Sequence, residues 1–597
     1  MSESSNASPR PTVTHAKIGA SLWSVVDDFE TQSLGLHQTE YPLEVHRMLY
    51  RTMAVHSVAP AARDTRVSVL LRADPDADFR GYGNHGIIVN ERSGRIRTAV
   101  LPIQRIGQLS QDPAIKQMLA SRYLNVLMDV AAAAVEVPTF QLKSSLRGKN
   151  VILGIIDTGI DFTHPAFAGR ILRIWDQTIK GPGVPEGRYG LELLPPAFGP
   201  SADMLGHGTH VAGIAGGHDR SYPGIATQAE YVIVKTDLGE SNLINAVNYV
   251  FRVAKDLHRP AVVNLSMGAH FDPHDGTDPL SVHLDSQTGP GRIVCCAAGN
   301  EGQDYIHAAV QCSSGSALIR FGVWPGSSRG QARAELNGWY SSQDSFQISV
   351  IDPTGAATPY QAVITGGPPA RNYSLPAGLV RITTPGPDPG NGDYNFLVQV
   401  QPLDIPEEPE KQASWLLVLR AAHASNGNVD VWAACDAAFE ESPAALEMKI
   451  GSPGACASAV TVAAYTTKNQ WLDIQGHPQT EAIALNTITP LSSPGPLRNR
   501  AEKPDVTAPG ALIAAPASSR ASVDPRLLVA RGFFLNAGTS MATPFISGIA
   551  ALLLERDPSL DPAGLKKILH RAGTIPGKPP GTFDPQWGYG LLNALKL

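Results

Sequence analysis

The sequence predicts an α/β fold, a parallel sheet with helices on both faces, on three observations. Short, continuously apolar strand-like runs alternate with helical segments across residues 150–302, and the same alternation resumes at 450 and continues to 597. Strands read this way when crossover helices cover both sides of a parallel sheet. Between these stretches, in 303–449, the pattern changes to alternating strands with Pro/Gly turns, the mark of an inserted β-sandwich. At 597 residues the chain is also too long for one core, and roughly two to four domains are expected.

Taken in order, residues 1–65 form an N-terminal extension with two helix-like stretches, LWSVVDDFE and PLEVHRMLYRTM, to which no chemistry attaches. From Arg66, RVSVLLRAD and GIIVNERSGRIRTAVLPI alternate as strands about a Ser-Gly turn, and LSQDPAIKQMLASRYL is expected to be a helix. This small α+β unit ends near Val135; the linker EVPTFQLKSSLRGKN follows, so 66–149 are taken together. The run from Val151 to Ile156 is a strand buried on both faces that ends in Asp157-Thr-Gly. AEYVIVKTD, AVVNLSMG and RIVCCAAGN are further buried strands, separated by helix-like HGTHVAGIAGG and LINAVNYVFRVAKDL. Ligands of such sheets bind at the carboxyl ends of strands, where Asp157, Ser266 to Gly268 and Asn300 all fall. ALIRFGVWP, SFQISVIDPTG, YNFLVQVQP, SWLLVLRAA and NVDVWAAC are the strands of the insert, and DIPEEPEK is its exposed acidic loop.

Composition removes several classes. With 43% hydrophobic and 17% charged residues the chain is ordinary for a globular protein. A formal charge of −6 with no Lys/Arg run argues against nucleic-acid or anionic-membrane partners. The start, MSESSNASPRPTVTHAK, lacks the apolar core of a signal peptide, and no run of about 18 apolar residues suggests a membrane span. Cys295, Cys296, Cys312, Cys435 and Cys456 are odd in number and contain no C-x-x-C pair for zinc or redox chemistry. Cys295 and Cys296 read as buried small hydrophobes. A reducing, cytoplasmic location is the expectation, with leaderless export open.

The candidate chemistry centres on NAGTSMATPFISGIAALLLE, Asn536 to Glu555. Its apolar stripe is too wide for a surface helix, so the helix is buried. Gly538 suits a sharp entry turn, and Pro544 is expected in the helix's first turn, where a missing N–H costs little. Taken alone, Ser540 at such a start is a cap. To react, its hydroxyl needs a base within hydrogen-bond reach and an acid that holds the base's tautomer. Asp157 ends a buried strand, where a carboxylate is costly unless it is hydrogen-bonded. His207 lies in GHGTHVAGIAGG, where Gly206 and Gly208 allow close packing of the backbone.

IIDTGIDFTHP, GHGTHVAGI, NLSMG, AAGNEG and GTSMATP resemble the signature blocks of the subtilisin-like serine proteases, and KPDVTAPG and GYGLLNA are similar to that family too. The resemblance covers about 145–300 and 450–597, so the catalytic domain is expected in 150–302 and 450–597. It implies Ser540 as nucleophile, His207 as general base and then acid, and Asp157 as the group that orients His207. It also implies Asn300 as an oxyanion-hole amide acting with the backbone N–H of Ser540. Ser266, Met267 and Gly268 would be the strand edge on which an extended protein or peptide substrate is added. Ala297, Ala298 and Gly299 would line the first specificity pocket. The α+β unit stands where the family keeps its propeptide, an intramolecular chaperone and inhibitor, and the linker 136–149 would lie near the active site and be cut by the enzyme itself. An unrelated N-terminal domain is the other reading.

Two departures from the family shape the remaining expectations. Ala166 stands where secreted relatives place an Asp that helps hold calcium, and the loop GGHDRSYPGIA is short for the other ligands. No metal and no cofactor are therefore expected at that site, with structural calcium elsewhere open. The insert is similar in placement to the jelly-roll insert of some bacterial subtilases; gating, partner binding and simple rigidification are all open to it. Alternatives to an active endopeptidase are a catalytically silent scaffold and a peptide ligase or cyclase that passes the acyl-enzyme to an amine.

Overall fold

The computed structural model describes residues 17–19, 22–23, 26, 55–56, 66–90, 94–120, 125–126, 134–323, 333–403, 414–441 and 444–597. The chain divides into two compact units, one of 1–122, 310–318 and 323–429, the other of 123–309, 319–322 and 430–597. The first unit therefore joins the N-terminal α+β region to most of the insert.

In that unit β1 (Arg66–Ala73) pairs antiparallel with β2 (Ile96–Pro102) on one edge and with β3 (Ile115–Ala120) on the other. β3 corrects the helix expected over LSQDPAIKQMLASRYL. Pro113 has no N–H to continue a helix and disfavours helical angles in the residue before it, so the helical turn stops at Ser110. The chain beyond takes the free edge of β1 instead, with Leu71 opposite Met118. Ile115 and Met118 are thereby buried with Val67, Val69, Leu71, Leu101 and Ile106. Of LWSVVDDFE, Leu22, Trp23 and Val26 are described, helical and in the same core; PLEVHRMLYRTM lies outside the described residues. The insert contributes an antiparallel run in the order Ala334–Tyr340, Tyr394–Pro402, Gly378–Thr383 and Ala370–Leu375. In a second sheet Ser345–Ile351 pairs with Trp415–His423. Gln117 Nε2 donates to the Asp388 carboxylate at 2.7 Å, tying β3 to the insert.

The second unit begins with β4 (Asn125–Val126) and α1 (Val137–Ser144). α1 occupies most of the stretch read as a linker. Val137 and Phe140 join the main core, and Gln141 Nε2 donates to the Ile225 carbonyl at 2.6 Å. The central sheet follows: β5 (Ile152–Asp157), β6 (Ile171–Asp176), β7 (Glu230–Lys235), β8 (Ala261–Leu265), β10 (Arg292–Ala297), β11 (Val460–Thr466) and β12 (Val506–Ala511), with the short β9 (Met267–Gly268) lying outside it. The seven central strands are parallel in the order β12-β11-β10-β8-β5-β7-β6. Every residue of β5 is buried, as a strand covered on both faces requires. The chain leaves β5 toward β6 and β7 on one side and returns through β8 on the other. The carboxyl ends of β5 and β8 therefore flank the crevice where such sheets take their ligands. α2 (His207–Gly216), α3 (Glu240–Asp256) and α4 (Thr539–Arg556) cover the sheet, α4 packing on β8, β10, β11 and β12 and beside α2. Among the described residues no helix is long and apolar enough to cross a membrane.

Candidate active site

Asp157 is the last residue of β5 and is fully buried. Its Oδ1 accepts from the Thr158 N–H at 2.8 Å and meets His207 Nδ1 at 2.7 Å. A carboxylate accepts only, so Nδ1 carries the proton and Nε2 keeps its lone pair as the base. His207 opens α2 directly after Gly206, whose φ is 80°. The neighbouring His210 is no rival base. Burial pushes its pKa down to about 3, and its Nε2 contacts the Phe534 carbonyl at 3.2 Å.

The loop between β5 and α2 is knitted by a carboxylate that sequence reasoning missed. Asp203 is fully buried. Its Oδ1 accepts from Thr158 Oγ1 and Gly206 N, each at 2.8 Å, and its Oδ2 from Thr209 N at 2.9 Å and Thr209 Oγ1 at 2.7 Å. One side chain thus fixes the residue after Asp157 and the first turn of the helix that carries His207. The available signal was an acidic residue just ahead of a helix start, which reads as an ordinary cap.

Ser540 sits in the first turn of α4, where N–H groups have no intrahelical acceptor. Pro544 falls in the second turn of α4, not the first, so its missing N–H leaves the Ser540 carbonyl without its helical partner. Ser266 supplies one. Its Oγ donates to the Ser540 carbonyl at 2.7 Å, while the Ser540 hydroxyl donates to the Ser266 carbonyl at 3.1 Å. The nucleophile candidate is thereby clasped to the chain between β8 and β9, and its hydroxyl is turned to Ser266 instead of His207. Ser540 and Asp157 are 0% exposed and His207 is 1% exposed, so the site is closed to solvent.

Asn300 follows β10 in the next loop. Its Oδ1 accepts from Thr539 N at 2.8 Å and lies 3.0 Å from Thr539 Oγ1. Both contacts commit the amide oxygen, which leaves Nδ2 to donate elsewhere. Thr539 also touches Gly299, whose N–H donates to its Oγ1 at 3.2 Å. Glu301 holds the other side of this loop: its Oε2 accepts from Asn300 N at 2.7 Å and Ser493 Oγ at 2.9 Å, with His270 Nε2 at 3.5 Å. Burial alone would raise the Glu301 pKa, but the bonds from His270, Ser493 and Asn300 outweigh it and keep the carboxylate ionised. Thr539, Glu301 and Ser493 escaped the sequence reading because none belongs to a titrating catalytic pattern.

Ala297, Ala298 and Gly299 are buried, and Ala298 packs with Ile450, Ala455 and Leu497 in an apolar cluster. Met267 and Gly268 form β9, which pairs antiparallel with the chain's own β4: Met267 opposite Val126 and Gly268 opposite Asn125. The segment on this strand edge therefore comes from 125–126, upstream of 136–149. Ala166 is buried at the start of a short 3₁₀ turn, and its carbonyl accepts from Arg170 Nη2 at 2.5 Å and His218 N at 2.9 Å. Among the described residues no group of three His, Cys, Asp or Glu side chains is placed to hold a metal ion.

A parallel α/β sheet with a buried Asp–His pair at the end of β5 and a helix-borne Ser clasped beside the end of β8 defines a class, that of α/β folds with such residues at the carboxyl ends of neighbouring strands. Comparison with known proteins identifies which one. The sequence matches the subtilase family over residues 148–319 and 402–590, and the chain belongs to that family. It is 36% identical over 149 residues to serine protease AprX of Bacillus subtilis, a match covering 24% of this chain and 30% of that protein. It is 30% identical over 165 residues to the major intracellular serine protease of the same organism, covering 26% of this chain and 45% of that one. The matches thus span less than half the length of either relative. The fold is similar to that of the CspB protease of Clostridium perfringens, with a TM-score of 0.63 at 23% identity over 77% of this chain and 96% of that chain.

Proposed function

We propose that this chain is a serine endopeptidase. The observation that carries the reading is the buried 2.7 Å contact between Asp157 and His207, in one site with an Asn300 amide held by Thr539, the residue before Ser540. The Ser540 hydroxyl rotates from the Ser266 carbonyl to His207 Nε2 and attacks a peptide carbonyl as His207 takes its proton. Asp157 stabilises the imidazolium that forms. Asn300 Nδ2 and the Ser540 N–H donate to the oxygen that becomes negative. His207 then protonates the leaving amine, and water, deprotonated by the same base, releases the acyl group from Ser540. Substrates lie extended along Ser266, Met267 and Gly268, with the side chain before the cut bond toward Ala297, Ala298 and Gly299. Recognition is mainly through the main chain, so one pocket sets the preference.

The upstream residues act as an intramolecular inhibitor on this reading, because β4 takes the strand edge a substrate needs. β4 lies on this edge against Met267 and Gly268, next to Ser266, whose carbonyl accepts from the Ser540 hydroxyl. The bond cut in cis then lies beyond Val126 and ahead of α1. We also propose that no calcium is held beside Ala166, because Arg170 already places a cation on its carbonyl.

The test compares wild type with Ser540→Ala by amino-terminal sequencing and fluorophosphonate labelling. Wild type should start between residues 127 and 137 and label, whereas Ser540→Ala should stay intact and unlabelled. An unlabelled wild type, even after removal of the upstream residues by a second protease, rejects the endopeptidase reading. A new amino terminus elsewhere rejects the register alone.

A further inference from the structure

Lys449 is a lysine with no exposed surface, and its ammonium meets no carboxylate. Instead Nζ donates to three main-chain carbonyls, those of Glu301 at 3.1 Å, Gly302 at 3.1 Å and Asp304 at 2.7 Å. These belong to the turn that immediately follows Asn300. Three carbonyl oxygens converging on one point repel one another unless a cation stands between them, so the ammonium sets the curvature of the turn. The turn in turn carries Glu301, whose Oε2 accepts from the Asn300 N–H at 2.7 Å. Lys449 is itself held, its own N–H donating to the Pro494 carbonyl at 2.9 Å. It is also the last residue of the inserted segment, and the turn it grips contains the first, Gln303. One ammonium therefore joins the two ends of the insert at the edge of the oxyanion site.

We propose that Lys449 is a positioning residue for the oxyanion hole, holding the 301–304 turn so that Asn300 presents its amide to the reacting carbonyl. The inference rests on the endopeptidase reading above. Burial lowers the Lys449 pKa to about 8, against the pull of the Asp304 and Glu301 carboxylates, the charged groups that act on it; His270 stands beyond, on Glu301. The neutral amine has two N–H groups for three carbonyls, so the clamp loosens as pH rises through that value.

The test is a double-mutant cycle on the processed enzyme with a peptide amide substrate. Lys449→Met should lower kcat about 10- to 100-fold with KM changed less than threefold, and Lys449→Arg should restore part of the loss. In an Asn300→Ala background the same Lys449→Met change should cost less than about threefold, since the group it positions is gone. Equal losses in both backgrounds, or no loss in either, overturn the inference while leaving the endopeptidase reading intact. A wild type that never labels with fluorophosphonate removes both. Should Lys449→Met not fold, the folded proteins decide it: kcat in wild type should fall as pH rises through about 8 with KM flat, and Asn300→Ala should lack that limb. The same limb in both proteins sinks the assignment.

Discussion

The main-chain N–H of Thr539 can only donate, so the Asn300 atom it meets at 2.8 Å is the amide oxygen. Orientation of the proposed oxyanion donor thus depends on Thr539, the residue before Ser540. Thr539→Val keeps the N–H but loses the hydroxyl contact at 3.0 Å. We expect kcat to fall about tenfold with KM nearly constant, smaller than the roughly 100- to 1,000-fold loss typical of deleting an oxyanion donor. A KM effect equal to the kcat effect would show that the hydroxyl serves binding instead. At this scale the sequence pointed to the residues to which the chemistry is assigned and hid those that hold them. Asp157, His207, Asn300 and Ser540 stand in small-residue contexts that few other roles demand. Asp203 in SADMLG and Lys449 in LEMKIG look like any exposed charge, because charged side chains are usually solvated. Only the fold shows that each is buried among converging partners.

Among the elements, the start of α2 passes very close to the end of β5 and the residues after it. A Cβ on Gly208 would lie 2.2 Å from the Gly159 carbonyl oxygen and 3.1 Å from Asp157 Cβ. Backbone cannot yield as a flexible side chain does, so Gly208→Ala must push the helix that carries His207 away from Asp157. The expected result is a loss of about 3 kcal/mol in stability, as overpacking costs, with activity falling further than stability explains. Denaturant melts and kcat on the same sample check it; a stable, fully active variant would contradict the close approach. Element type was legible wherever burial on both faces or helical spacing was strong, as in β5, β7, β8 and β10. It failed at β3, where helical spacing in IKQMLA competed with an open strand edge and Pro113, and the edge won. The place of Pro544 within α4 escaped for a related reason, since element boundaries depend on partners that lie far along the chain.

Across the whole molecule, acid should be the weak side. Burial pushes the pKa of His283 down to about 4 and that of His210 to about 3, and holds His274 well below its ordinary value, with His270 adding to the effect. The unfolded chain protonates these rings near the ordinary pKa of about 6.5, where the native state does not. The unfolded state therefore binds more protons, and stability falls as pH drops from about 6.5 toward 4 for His283 and 3 for His210. Each such ring contributes a slope of up to about 1.4 kcal/mol per pH unit. Asp272, raised by burial and by Asp278, and Asp304, raised by burial and by Glu301, act in the opposite sense. Calorimetry at steps from pH 7 to 4 should show a steadily falling Tm, with a shallower fall in His210→Gln; a level Tm across that range would contradict the buried neutral rings.

The anchoring of α1 has a consequence for time. Val137 and Phe140 lie in the main core and Gln141 is bonded to Ile225, so the chain just downstream of the proposed cut stays fastened to the molecule that makes the cut. Cleavage between β4 and α1 in cis is then a first-order event within one molecule, with a half-life that dilution does not change. Each copy would carry its own clock, started when it folds, and a population would mature according to its age instead of its abundance.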